Sequence, residues 1–236
     1  MTIKRVTAKP TASGEGSPRS ESRVWDVMAR RVTESWKGTP HFFLHQEVDV
    51  GNLMTWRDEI GRKSGVKVTY TDLLIKLVAD VLGNHPSITA SWVDEGIVWN
   101  EGINVGFATA LTKGLVVPVI CSADAMDVVE ISTLRAELVG RARSGKLRPV
   151  DLQNGTFTVS NLGMYGVDDF TAIINPPQSA ILSAGRIAQR VVPLEGVPVV
   201  RWMMALNLSC DHRVVDGVGA ARFIVDLSEA IEAPHS

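Results

Sequence analysis

Ser209-Cys210-Asp211-His212-Arg213-Val214-Val215-Asp216-Gly217 is the densest polar cluster in the chain, and its flanks decide how the rest is read. An apolar stretch over residues 201–209 precedes it and reads as a strand. After it, Ala221, Phe223, Ile224, Leu227 and Ile231 recur at helical spacing, from Gly217 or Val218 to about Ile231. The cluster is therefore a strand-to-helix loop, a common home for catalytic side chains. His212 suits a general base near neutral pH, Asp216 is spaced to orient the loop or the ring, and Gly217 permits tight backbone geometry. The plainer reading is a loop histidine with Asp216 only capping the helix. The spacing alone leaves both open.

Working back along the chain, residues 156–160 read as a strand that opens into Asn161-Leu162-Gly163-Met164-Tyr165-Gly166. Ser160 would then either offer a hydroxyl to an oxyanion in a cleft or serve as a turn serine. Strands are also expected at residues 41–48, 90–93, 97–100, 103–110, 115–120, 179–185 and 187–193. Apolar periodicity predicts helices near residues 22–36, 50–62, 73–82 and 127–143, the third capped by Thr71 and Asp72. Long strands mixed with four or five helices, without βαβ alternation or internal repeats, predict an α+β fold on a mostly antiparallel or mixed sheet.

The 236 residues carry 24 Lys+Arg against 26 Asp+Glu and are 45% hydrophobic, which suits one large globular domain or two small ones. A net charge of -2 leaves no basic excess for phosphates, so no nucleic-acid partner is expected. No apolar run reaches membrane-span length and no signal-type segment starts the chain, so a soluble, cytoplasmic protein without a membrane partner is expected. Two cysteines without CxxC spacing exclude a zinc site or disulfide framework, so no metal is expected. Cys210, two residues from His212, reads as a structural thiol rather than a nucleophile. The other histidines show no metal-ligand spacing, and phosphate-binding loops of the GxGxxG or GxxxxGK[ST] type are absent. Residues 1–20, rich in Ser, Gly, Thr and Pro, read as a flexible linker or tail ahead of a folded domain over residues 21–236.

Asp211-His212-Arg213-Val214-Val215-Asp216-Gly217 resembles the HxxxDG motif of the catalytic domain of dihydrolipoamide acyltransferases (E2) of 2-oxo acid dehydrogenase complexes, relatives of chloramphenicol acetyltransferase. Gly155-Thr156-Phe157-Thr158-Val159-Ser160-Asn161-Leu162-Gly163 resembles a second block of that family, and Ile174-Asn175-Pro176-Pro177-Gln178-Ser179-Ala180-Ile181-Leu182 a third. Gly114 to Ile120 and Pro40 to Leu44 supply two more, all in family order.

The resemblance implies a chloramphenicol-acetyltransferase-like fold, with a central mixed sheet flanked by helices. It implies a homotrimer whose active sites lie between subunits, one chain giving His212 and its neighbour Ser160. It implies transfer of a short acyl group, acetyl or branched-chain, between dihydrolipoamide and coenzyme A. His212 would be the base, Ser160 the oxyanion donor and Asp216 the holder of the loop, with Asn161, Gly163, Asn175 and Gly217 lining the substrate path. The lipoyl group would arrive on another domain or protein, and a decarboxylase and a dihydrolipoamide dehydrogenase are the implied further partners.

Two departures stand out. Trp25-Asp26 occupies positions where a basic pair is usual, leaving Arg23 to pair with Asp216. The chain ends Glu232-Ala233-Pro234-His235-Ser236, without an apolar anchor, so trimers that build no larger cage are expected. The competing readings are an acyltransferase of this fold with an amine or alcohol acceptor and a non-catalytic trimeric scaffold. A serine hydrolase is disfavoured because Ser160 sits in no G-x-S-x-G elbow.

Overall fold

The structure, a computed structural model, describes residues 22–234. The linker expected at residues 1–20 and the last two residues of the tail lie outside them. Ser22 opens helix α1 (Arg23–Gly38) by accepting the Trp25 amide, and strand β1 (His41–Asp49) follows. Helix α2 (Gly51–Ser64) stops at Gly65, whose φ of 70° falls in the left-handed region that glycine tolerates. Helix α3 (Tyr70–Leu82) begins earlier than expected. Thr69 is its cap, and Asp72, one turn inside, returns a carboxylate to the Thr69 amide. The Thr71–Asp72 cap is thus corrected to a Thr69–Asp72 capping box, which satisfies two amides that a bare helix start leaves open.

A short helix α4 (Pro86–Thr89), which the sequence reading did not foresee, leads into the hairpin β2 (Ser91–Val93) and β3 (Gly96–Val98). The two long extended segments expected next are each split. The first becomes β4 (Val105–Phe107) and β5 (Thr109–Leu111), the second β6 (Gly114–Val116) and β7 (Val119–Ile120). Strands β4 and β7 join the main sheet while β5 and β6 form their own hairpin. Pro118 marks the break, because it has no amide and only its carbonyl is used, accepting from the Phe107 amide.

Helix α5 (Val128–Arg143) has an Asp127–Glu130 capping box. Then come β8 (Phe157–Asn161), β9 (Ala180–Ala184), β10 (Ala188–Leu194), β11 (Val197–Asp211) and α6 (Gly217–Glu232). The main sheet has seven strands in the order β1-β11-β9-β8-β4-β7, with β10 paired to the first half of β11. Strand β8 runs parallel to β4 and β9 and the other pairs are antiparallel, so the sheet is mixed as expected.

Alternation along β11 sorts the two faces of this sheet. Leu206, Leu208 and Cys210 are buried with Leu182, Phe157 and Val159 beneath α3 and α6, where Phe223, Ile224 and Leu227 close the core. Each large side chain buried there contributes about 1.5–3 kcal/mol. The intervening residues Asn207 and Ser209 belong to the opposite face, with Ser183 and Thr158 of the neighbouring strands. All four are buried polar groups, so that face needs hydrogen-bond partners as well as packing.

Candidate active site

The turn between β11 and α6 is organised around Asp211. Its amide donates to the Ser179 carbonyl, and its own carbonyl accepts from the Val214 and Val215 amides. Its carboxylate, only 2% exposed, accepts the Arg213 backbone amide at 3.0 Å and the Arg213 guanidinium at 2.9 Å from Nε and 2.6 Å from Nη2. The ion pair pushes the Arg213 pKa up, the hydrogen bond to Asp211 being the main cause. Between these two charges sits His212. Its amide donates to the Pro40 carbonyl and its ring packs 4.7 Å from that of Phe42. Among the described residues neither ring nitrogen has a hydrogen-bond partner, and the residue is exposed.

Asp216 caps α6, its carboxylate accepting the Gly219 amide at 2.6 Å. No ion pair joins it to Arg23 within the chain, so the pairing expected there is not found inside one subunit. Gly217 has no positive φ, and a Cβ added to it would meet nothing within 4 Å. The tight geometry expected at that glycine is therefore not what this chain's own packing requires. Cys210 is fully buried in β11, which runs two residues further than expected. Burial, aided by the Asp211 charge, holds its thiol well above the usual range, as a structural role requires.

Ser160 stands at the other end of the sheet, half-buried near the end of β8. Its hydroxyl has no partner among the described residues and lines a cavity of about 1110 Å³ together with Ser91, Asn100, Thr158, Asn175 and Gln178. Residues 170–178, which lie outside the named helices and strands, form one wall, and the polar face of the sheet holds them and the residues just before them. Ser183 donates to the Phe170 carbonyl at 2.6 Å and Ser209 to the Ala172 carbonyl at 2.6 Å, while Asn207 bonds the Asp169 carboxylate. Ser35 of α1 donates to the Ile174 carbonyl at 2.7 Å, and His41 accepts the Ile174 amide at 3.1 Å. Helix α1 closes the far side with Val24, Val27 and Met28.

Two of the expected substrate-path residues shape this end rather than face the cavity. Asn161 accepts the Gly163 amide at 2.8 Å and donates to Thr71 at 3.2 Å. Gly163 lies so close to the next strand end that an added Cβ would stand 2.6 Å from the Gly185 carbonyl. Asn175 does line the cavity.

One chain keeps His212 and Ser160 apart. Ser160 pairs with Ser183 and Ser183 with Asn207, five residues before His212 on β11. At about 3.3 Å per residue and 4.8 Å per strand, roughly 19 Å separates the two backbones. Sequence reasoning missed Asp211 and Arg213 as a pair, Trp92 beside them, and the buried row Ser183, Asn207 and Ser209. The alternation Leu206-Asn207-Leu208-Ser209 was the signal for that row, since a polar residue at every second position of a buried strand marks a face with hydrogen bonds to make.

The model of the 2-oxoacid dehydrogenases acyltransferase (catalytic domain) family matches residues 18–236. A curated relative, the dihydrolipoyllysine-residue acetyltransferase component of the pyruvate dehydrogenase complex of Rickettsia bellii, is 38% identical over 217 residues, 90% of this chain and 52% of that one. The chain thus spans about half the length of such relatives. Among solved structures, dihydrolipoamide acetyltransferase of Azotobacter vinelandii superposes with a TM-score of 0.89 at 30% identity over 98% of both chains. A truncated catalytic core of the 2-oxoacid dehydrogenase multienzyme complex of Thermoplasma acidophilum gives 0.85 at 35% identity, covering 93% of this chain and all of that one. Chloramphenicol acetyltransferase, at 12% identity and a TM-score of 0.53, shares the fold alone. The Azotobacter work addressed a serine, a histidine and an asparagine in catalysis. The histidine follows the serine by 52 positions and the asparagine follows the histidine by four, the spacing of Ser160, His212 and Asp216. Both the family match and these relatives show that the chain belongs to the 2-oxoacid dehydrogenase acyltransferases, as their catalytic domain.

Proposed function

We propose that this domain transfers a short acyl group, acetyl or branched-chain, between the thiols of dihydrolipoamide and coenzyme A, at sites built between subunits of a homotrimer. The observation that carries the reading is the pairing of two half-sites. His212 has a free imidazole at one end of the sheet and Ser160 a free hydroxyl at the other, too far apart to act on one substrate within a chain. Placing the His212 end of one copy over the Ser160 cavity of the next completes a site. Membership of the family supports this arrangement, and the lipoyl group would be brought by another domain or protein.

In that site His212 takes the proton from the attacking thiol, and the thiolate adds to the carbonyl of the thioester on the other carrier. Ser160 donates a hydrogen bond to the tetrahedral oxyanion, a contact worth about 3 kcal/mol where such donors have been removed. Collapse breaks the old carbon–sulfur bond, and the departing thiolate takes the proton back from His212. No acyl-enzyme forms, in keeping with the buried, protonated Cys210. Asp216 acts by capping α6 behind the base. An asparagine, the residue at the equivalent spacing in the Azotobacter enzyme, can accept the Gly219 amide equally well, whereas it could not serve as an acid.

The test is thioester exchange between acetyl-CoA or isobutyryl-CoA and free dihydrolipoamide, with free acid followed in parallel. Exchange that collapses in His212→Ala and Ser160→Ala supports the reading and ranks the acyl groups. Free-acid release, or transfer only to amines or alcohols, would contradict it.

A further inference from the structure

We infer that Asp211, Arg213 and Trp92 are positioning residues that fix the His212 imidazole from both sides of the turn. This deepens the proposed function and rests on the reading of His212 as the base. The turn holds its histidine by an indirect route. The imidazole makes no hydrogen bond among the described residues and packs against the Phe42 ring, so its placement depends largely on the backbone of residues 211–213. That backbone is tied at three points: the Asp211 amide to Ser179, the His212 amide to Pro40, and the Arg213 amide to the Asp211 carboxylate at 3.0 Å.

Only the last of these ties runs through side chains, and the Arg213 guanidinium grips the same carboxylate with two nitrogens. The guanidinium is covered in turn by the indole of Trp92, its carbon 5.1 Å from the ring centroid. Trp92 belongs to the β2–β3 hairpin, which the sequence places more than a hundred residues away. A planar fork on a carboxylate, stacked on an aromatic face, is a geometry that lysine cannot reproduce. A buried carboxylate at a strand end that spans its own neighbour's backbone amide sets the direction of the residue between them. Reactant misplacement of about 1 Å can cost roughly 100-fold in rate, so a small loss of this clamp should be visible in turnover.

The experiment compares Arg213→Lys, Asp211→Asn and Trp92→Leu with the parent and with His212→Ala, in the exchange assay with both thiols varied and rates expressed per mole of native-sized oligomer. Arg213→Lys keeps the charge and Trp92→Leu keeps both charges, so a folded variant is available even if Asp211→Asn does not assemble. The expected result is a kcat about 10–100-fold lower in Arg213→Lys and a few-fold lower in Trp92→Leu, with KM for each thiol within about two-fold of the parent. Parental kcat in Arg213→Lys, or a loss carried by KM, would overturn the clamp. Undiminished exchange in His212→Ala would instead overturn the assignment of the base, which separates the two failures.

Discussion

The two ends of the sheet solve the same problem in opposite ways. At the His212 end a single acidic residue, Asp211, gathers the turn with bonds that span at most four positions of sequence apart from its amide to Ser179, and the outside ties are the His212 amide to Pro40 and the Trp92 ring over Arg213. At the Ser160 end one cavity wall lies outside the named helices and strands and is held from far away, by Ser183, Asn207 and Ser209 of two strands, by Ser35 of α1 and by His41 of β1. The base is thus set mainly by one compact turn with a few outside ties, while the oxyanion donor faces a cavity that depends on the whole fold. Damage to the first should change chemistry with little change in stability. Damage to the wall of the second should change both.

The largest expected effect is on chemistry. His212→Ala should lower the exchange rate by about 10²–10⁴-fold and Ser160→Ala by about 10²–10³-fold, each with an unfolding midpoint close to the parent. Steady-state kinetics beside thermal denaturation would check this, and a large stability loss in His212→Ala would break the contrast.

Glycine substitutions come next. Gly163→Ala must displace the Gly185 carbonyl or the strand end that carries Ser160, and is expected to cost both stability and activity. Gly217→Ala points into open space at the start of α6, so it should fold at least as well as the parent, with a gain of up to about 0.5–1 kcal/mol. A Gly217→Ala protein that folds but does not turn over would show that the space beside this glycine is used by the neighbouring subunit or the substrate.

Smaller still is the unstitching of the wall. Ser209→Ala or Ser183→Ala leaves the Ala172 or Phe170 carbonyl without its buried donor, and about 1–3 kcal/mol of stability should be lost in urea unfolding. The accompanying effect is expected in KM, because the cavity loosens while His212 is untouched. The smallest effect is a reactivity difference. At pH 8 a thiol reagent should label exposed Cys121 quickly and Cys210 only after unfolding, since burial keeps Cys210 protonated.

This contrast also governs how much the sequence disclosed. The His212 turn was legible because its decisive residues lie within nine positions, between a strand and a helix that announce themselves by period. Most strands and helices followed from the same local signals, which left the sheet mostly antiparallel or mixed, and the resemblance implied the mixed one. What escaped were features set by distant partners. Proline at position 118 broke one expected strand, and the helix cap moved to Thr69 because Asp72 reaches back to it. Trp92 gave no sign that it would meet Arg213, and of residues 167–178 only Asn175 had been expected beside the substrate path, since the order of this stretch is borrowed from hydroxyls on other strands. The Ser160 end therefore became readable only with the sheet register in hand.

The central claim is that neither half-site works alone. It is tested most directly by mixing. His212→Ala and Ser160→Ala proteins, each inactive, are co-expressed or unfolded and refolded together in equal amounts. If each site takes His212 from one copy and Ser160 from the next, random assembly leaves about one site in four with both residues intact, and roughly a quarter of the parental exchange rate should return. If both residues act within the same chain, every site lacks one of them, and a mixed protein of parental size with no recovered activity would contradict the account.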